Sequence, residues 1–147
     1  MRILSLDVGE KRIGMALSDE LGFIARPLET LHRETENADF EEIKKIAHTM
    51  DVTEVVVGLP LNMDGRAGPN AKKAYDFVEK LKKKLKTPVK LWDERLTTLE
   101  ANRILIKAGM SRKKRKKLDD KLAAQLILQS YLDAKQAGNR SQRTDDR

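Results

Sequence analysis

Apolar residues recur along this chain with two different periods. Ile3 to Val8 is a short apolar run that holds one carboxylate, Asp7, and Ile13 to Leu17 is a second, after a turn at Gly9 to Arg12. A weaker third run, Gly22 to Leu31, contains Pro27, whose missing N–H points to a sheet edge. Short links between successive strands predict an antiparallel meander. Beyond it the spacing becomes helical. Phe40, Ile43, Ile46 or Ala47, and Met50 form a stripe over Asp39 to Met50. Val55-Val56-Val57, within Thr53 to Gly58, is apolar on both faces and predicts a central parallel strand. Ala71, Ala74, Phe77 or Val78, Leu81 and Leu85 predict a helix over Asn70 to Leu85, and Pro88 to Trp92 a second buried strand.

Thr97 and Glu100 have the spacing of a capping box, opening a helix that Gly109 ends. Asp119 opens a last helix to about Lys135, with Leu122, Ala123, Leu126, Ile127 and Tyr131 on one face. The order β-β-β-α-β-α-β-α-α predicts an α/β fold, a mixed five-stranded sheet with three antiparallel strands, then two parallel ones, and helices on both faces. One domain over residues 1–137 is expected, followed by a polar, disordered tail over 138–147.

Composition narrows the chemistry. The 147 residues fit one domain, and the absence of cysteine excludes disulfides, thiol catalysis and zinc–thiolate sites. Asp7 comes too early for a signal-peptide core, and no apolar stretch approaches the ~18 residues of a membrane span, so a cytoplasmic protein without membrane contact is expected. Lys and Arg number 30 against 23 Asp and Glu, a net charge of +7 that favours polyanions, although a lysine-rich surface alone gives the same sum. With three Phe, two Tyr and one Trp, a base-stacking platform is not expected. His32 and His48 both lie in polar stretches, which leaves carboxylates, lysines or a metal to carry any chemistry.

Asp7 stands near the end of the first strand, where it either faces a cleft or caps the turn through Gly9. Asp93-Glu94-Arg95 follows the strand ending at Trp92, as a second carboxylate site or as a loop ion pair of Arg95. Asp119-Asp120 begins the last helix, where capping is the plain explanation and a cleft-facing acid the functional one. Three carboxylate positions on separate elements, without His or Cys, form a hard-oxygen set suited to Mg²⁺ or Mn²⁺. Two such ions ~3.5–4 Å apart serve phosphodiester hydrolysis. The turn-rich loop Gly58 to Gly65 offers Asn62 or Asp64 to phosphate or metal-bound water, or is loop architecture only. The run Arg112-Lys113-Lys114-Arg115-Lys116-Lys117 is either a solvated segment or a site for backbone phosphates.

Four ordered motifs give a resemblance. Asp7-Val8-Gly9-Glu10-Lys11-Arg12-Ile13-Gly14, Val57 through Gly65, Asp93-Glu94-Arg95-Leu96-Thr97-Thr98 and Asp120-Lys121-Leu122-Ala123-Ala124 resemble the YqgF (RuvX) family over roughly residues 1–135. The resemblance implies an RNase H-like fold related to Holliday junction resolvases of the RuvC type. It implies a nuclease maturing the 5′ end of pre-16S rRNA, with Asp7, Glu94 and Asp120 as catalytic metal ligands. Lys121 stands where the family usually has Ser, which keeps Asp119 open beside Asp120 as the ligand. On this reading Lys11, Arg12 and Arg95 hold the scissile phosphate, and the basic run holds flanking backbone, with a ribosomal particle as a further candidate partner.

Three rivals stand beside this reading. A junction resolvase keeps the fold, cuts branched four-way DNA and acts as a homodimer rather than a monomer. An actin-like ATPase shares the Asp-x-Gly phosphate loop but needs two such domains, for which 147 residues are too few. A binding module that has lost catalysis keeps only nucleic-acid affinity.

Overall fold

The computed structural model describes residues 1–97 and the backbone of the last helix over 112–145, with side chains of that helix over 122–138. The helix expected from Thr97 to Gly109 lies outside the described residues apart from Thr97. Six strands form one mixed sheet: β1 (Arg2–Val8), β2 (Arg12–Ser18), β3 (Ala25–Pro27), β4 (Leu31–His32), β5 (Val52–Leu59) and β6 (Val89–Asp93). The order is β3-β2-β1-β5-β6, with β4 also on β2. β1, β2, β3 and β4 are antiparallel neighbours, while β5 and β6 run parallel to β1.

The expected third strand is present in two pieces. The Leu28 N–H donates to the Met15 carbonyl at 2.9 Å, yet Ile13 faces Leu31. Two steps along β2 therefore match three along its partner, and the extra residue bulges the edge. Pro27 sits on that edge, where no ladder donor is missed.

Alternation along the strands sorts the core into two layers. Leu4, Leu6, Ile13, Met15, Val55 and Val57 point to one face, where they meet Phe40, Ile43 and Ala47 of helix α1 (Glu36–Thr49) and Phe77, Val78 and Leu81 of α2 (Pro69–Lys84). Ile3, Ala16 and Val56 point to the other, against Ala124, Ile127, Leu128 and Leu132 of α3 (Arg112–Asp145). Thr35 caps α1 by accepting the Ala38 N–H at 3.1 Å, and Pro69, at the first position of α2, needs no donor there.

α3 begins at Arg112, not at Asp119, and continues past Lys135 through the segment expected as a tail. Helix-start capping therefore does not account for Asp119 and Asp120, because the free N–H groups belong to the turn that begins at Arg112. The side chains of Arg112 through Lys121 lie outside the described residues. Among the described residues no helix is long and apolar enough to cross a membrane.

One buried carboxylate ties α3 to the sheet. Glu54 of β5, 8% exposed, accepts hydrogen bonds from the Tyr131 hydroxyl and from the Lys135 and Lys90 ammonium groups at 3.0 and 3.1 Å. Burial alone raises a carboxyl, but here Tyr131, Lys135 and Lys90 together outweigh it and hold Glu54 below its ordinary value. A depressed carboxyl contributes stability that is fully present above 4.5, its ordinary value, and lost as pH falls through the folded value. Tyr131→Phe is expected to destabilise the fold by about 1–2 kcal/mol at neutral pH. Urea titrations at several pH values check this, and the gap from the wild type should narrow below pH 4.5.

Candidate active site

Parallel pairing brings three chain segments to one edge of the sheet. Leu6 faces Val57, Gly58 faces Trp92 and Leu59 faces Asp93. Asp7, Gly58 and Glu94 thus follow one another across β1, β5 and the turn after β6. Asp7 shares the face of Ser5, whose buried hydroxyl donates to the Ala124 carbonyl of α3 at 2.7 Å. The Gly9 N–H donates to the Arg12 carbonyl at 2.8 Å, a backbone bond that closes the turn after β1.

Gly58 is the pivot of the arrangement. A Cβ there would lie 2.6 Å from Oε1 of Glu94 and 2.6 Å from Cδ1 of Ile127. The missing side chain lets the Glu94 carboxylate lie across the end of β5 while α3 packs behind it.

Glu94 opens a 3₁₀ turn, Glu94–Leu96, that is fastened from several sides. The Thr97 hydroxyl donates to the Glu94 carbonyl at 2.7 Å. The Ser130 hydroxyl donates to the Leu96 carbonyl at 3.1 Å, and Ser130 Oγ accepts the Trp92 indole N–H at 3.1 Å. Arg95 grips Asp93 through Nη2 at 2.7 Å and Nε at 3.0 Å, and its guanidinium holds the Asp93 carboxyl below the ordinary range. Of this acidic pair, Asp93 is a structural ion-pair partner and Glu94 is the acid that lines the cleft.

The cleft has a volume of about 480 Å³. Asp7, Glu10, Glu36, Asp76 and Glu94 line it, against two cations, Arg33 and Lys73. Lys80 bridges Glu36 and Asp76 at 3.0 and 3.1 Å and so holds the N-terminal end of α1 against α2. Arg33 fixes the opposite wall. Its Nη1 donates to the Gly9 carbonyl at 2.9 Å, its Nε pairs with the buried Asp39 at 3.1 Å, and the group lies 5.6 Å over the Phe77 ring. Among the described residues Lys73 makes no ion pair and is exposed.

The cations named from the sequence are placed differently. Arg95 is held by Asp93 and lies over the loop at Gly65, 3.3 Å from where a Cβ would stand. Asn62 closes its own loop, accepting the Gly65 N–H at 2.8 Å and donating to the Arg66 carbonyl at 2.9 Å. Asp64 accepts the Arg66 N–H at 2.9 Å. For Asn62, Asp64 and Arg95 the placement matches loop architecture and ion pairing. Lys11 is exposed one residue past Glu10, and Arg12 is half-buried on β2. Arg112 through Lys117 open α3, and Asp120 lies one helical turn before Ala124. Arg33 and Lys73 went unnoticed in the sequence. Asp39, a carboxylate in the apolar stripe of α1, was the one sign that a cation must come to meet it.

The chain matches the RuvX family, described as Holliday junction resolvase, over residues 1–134. The chain belongs to the RuvX family. A relative from Thermoanaerobacter pseudethanolicus is 55% identical over 135 residues, 91% of this chain and 97% of its own. One from Halothermothrix orenii is 54% identical over 132 residues, 90% of this chain and 94% of its own. Both carry the provisional name of pre-16S rRNA nuclease. Among solved structures, Thermus thermophilus RuvC in complex with a Holliday junction substrate aligns with TM-score 0.55 at 18% identity, covering 89% of this chain and 94% of that one. The fowlpox virus Holliday junction resolvase aligns with TM-score 0.50 at 18% identity, covering 91% and 99%. These likenesses show the fold, that of the RNase H-like resolvases, as the RuvX motifs implied.

Removing Arg33 leaves the buried Asp39 carboxylate, among the described residues, with the Glu34 N–H at 3.1 Å as its remaining partner. Arg33→Ala is expected to cost about 2–3 kcal/mol of stability. Denaturant midpoints measure it, and Arg33→Lys should recover only part, since a single ammonium cannot reach Gly9 and Asp39 together.

Proposed function

We propose that this RuvX protein is a divalent-metal-dependent phosphodiester hydrolase that trims the 5′ end of pre-16S rRNA in the cytoplasm. One observation carries the reading. A chain of net charge +7 concentrates five carboxylates against two cations at one cleft, and Asp7 and Glu94 converge there around a glycine whose missing side chain makes the room. The names of the relatives supply the substrate.

The donor set fits a hard cation: it is carboxylate oxygen throughout, from the end of β1, the turn after β6 and α3. Among the described residues no three His, Asp or Glu side chains form a metal-binding group, and the third expected ligand, Asp120, lies outside those whose side chains are described. Asp7, Glu94 and Asp120 would hold Mg²⁺ or Mn²⁺, which when bound supplies a water nucleophile and stabilises the leaving oxygen. The chain's own part is positional. The fastened turn after β6 keeps Glu94 across Gly58. Lys73 offers a charge to a phosphate in the cleft, Lys11 and Arg12 stand at the β1–β2 turn, and the six cations that open α3 would hold flanking backbone.

A second reading has its own support, because the fold is that of proteins solved as Holliday junction resolvases. A resolvase would act on branched DNA as a dimer, matching the two-fold symmetry of the junction.

Labelled 16S precursor RNA and a four-way DNA junction, each with Mg²⁺, Mn²⁺ or EDTA, separate the two. Metal-dependent cutting of the RNA is expected, and Asp7→Asn and Glu94→Gln should each lower it at least about a hundredfold. Both should also lose the rise in Tm that the metal gives the wild type. Cutting by Asp7→Asn at the wild-type rate would sink the assignment. Gly58→Ala must push the Glu94 carboxylate aside, and a displacement of that order costs roughly a hundredfold in rate. Its Tm should fall as well, by the equivalent of about 1–3 kcal/mol, since the fully buried Ile127 must also shift.

A further inference from the structure

A second concavity, of about 330 Å³, lies at the C-terminal ends of α1 and α2. Lys44 and His48 reach it from α1, Lys84 from the end of α2 and Lys86 from the loop that follows. Asp51 is its one carboxylate. Among the described residues the three lysines make no ion pair, whereas Lys80 and Lys82 on the same layer do. Helix dipoles favour a cation at each C-terminus, which accounts for His48 on α1 and Lys84 on α2 but not for Lys44, further back on α1. Nor do they account for the lysine from the loop that converges on the same hollow.

This hollow lies at the far end of the sheet from the cleft. Glu36 lines the cleft and His48 the hollow, on one helix, which sets them about 18 Å apart. Gly58 and Val52, on β5, give about 20 Å by an independent route. The helical layer is thus acidic where it meets the cleft and basic where it ends. Carboxylates in the cleft repel a phosphate backbone, so much of the affinity for a long one has to come from outside the cleft.

We infer that the hollow formed by Lys44, Lys84 and Lys86 binds the phosphate backbone of the nucleic acid cut at the cleft, about 20 Å from the scissile bond. The inference rests on the reading of the cleft as a nuclease site. Its ligand is backbone phosphate, without sequence preference. The span corresponds to about six nucleotides of duplex rise. A substrate that ends close to the cut therefore fills the cleft and leaves the hollow empty.

The test is a triple variant, Lys44→Gln, Lys84→Gln and Lys86→Gln, all at exposed positions. Binding is measured in EDTA with two RNAs, one ending three nucleotides either side of the cut and one extending fifteen. The variant should bind the long RNA roughly ten- to a hundredfold more weakly at ~0.1 M salt, with the slope of log K against log salt reduced by about 2. The short RNA should bind both proteins equally, and its metal-dependent cleavage should be unchanged. Equal affinity of the two proteins for the long RNA overturns the inference, as does a hollow saturated by inorganic phosphate alone, which would make it a site for a free anion. The failures are distinct. If the nuclease reading fails, the length-dependent loss of binding persists without cutting. If the hollow fails, cutting continues with equal affinities.

Discussion

The parallel register of β1, β5 and β6 is the constraint from which the site follows. It brings the strand ends to one edge, so that residues far apart in sequence become neighbours through backbone hydrogen bonds alone. With Leu6 opposite Val57 and Gly58 opposite Trp92, Asp7 comes beside position 58 on one side and the turn that carries Glu94 on the other. A side chain at position 58 would block both Glu94 and Ile127, so glycine answers to the site on one side and to the packing of α3 on the other. The same helix steadies the Glu94 turn through Ser130 and anchors the sheet through Tyr131 and Glu54. The geometry of the cleft and the packing of the core are therefore not separable in this layer.

Charge is distributed as deliberately as shape. The cleft gathers carboxylates, whose mutual repulsion is relieved in part by Lys80, which bridges two of them, and by Arg33, which secures the wall through Asp39. The surplus of lysine lies elsewhere: at the far ends of α1 and α2 and at the opening of α3. A polyanion meeting this surface is drawn to the periphery first, and the acidic centre becomes hospitable to phosphate only when a cation offsets its charge.

The fold was largely legible because strand and helix periods differ so plainly here. Val55-Val56-Val57 reads as buried on both faces, and each of the three is fully buried. The stripes of α1 and α2 pack as their spacing requires. What was not legible depended on contacts between distant segments. The break between β3 and β4 comes from a one-residue mismatch with β2, which no local spacing reports. The start of α3 was missed because six consecutive cations look like a solvated loop, whereas lysine and arginine are good helix formers. At the cleft, Asp7 stood out as an acid at a strand end in an apolar context, whereas Glu94 was picked out from the Asp93-Glu94 pair by the RuvX motif alone. Arg33 and Lys73 did not stand out, since a cation on a polar stretch looks the same whether it faces solvent or a cleft.

The divided edge strand has a consequence for the protein's life in a crowded cell. An open sheet edge is a template on which another chain can add strands, and a long flat edge invites self-association during folding. Here that side ends in pieces of three and two residues, set out of step by a bulge and carrying a proline. Neither piece offers enough consecutive amides to recruit a stranger. The irregularity that made this stretch hard to read is what keeps the molecule from growing into an aggregate along it.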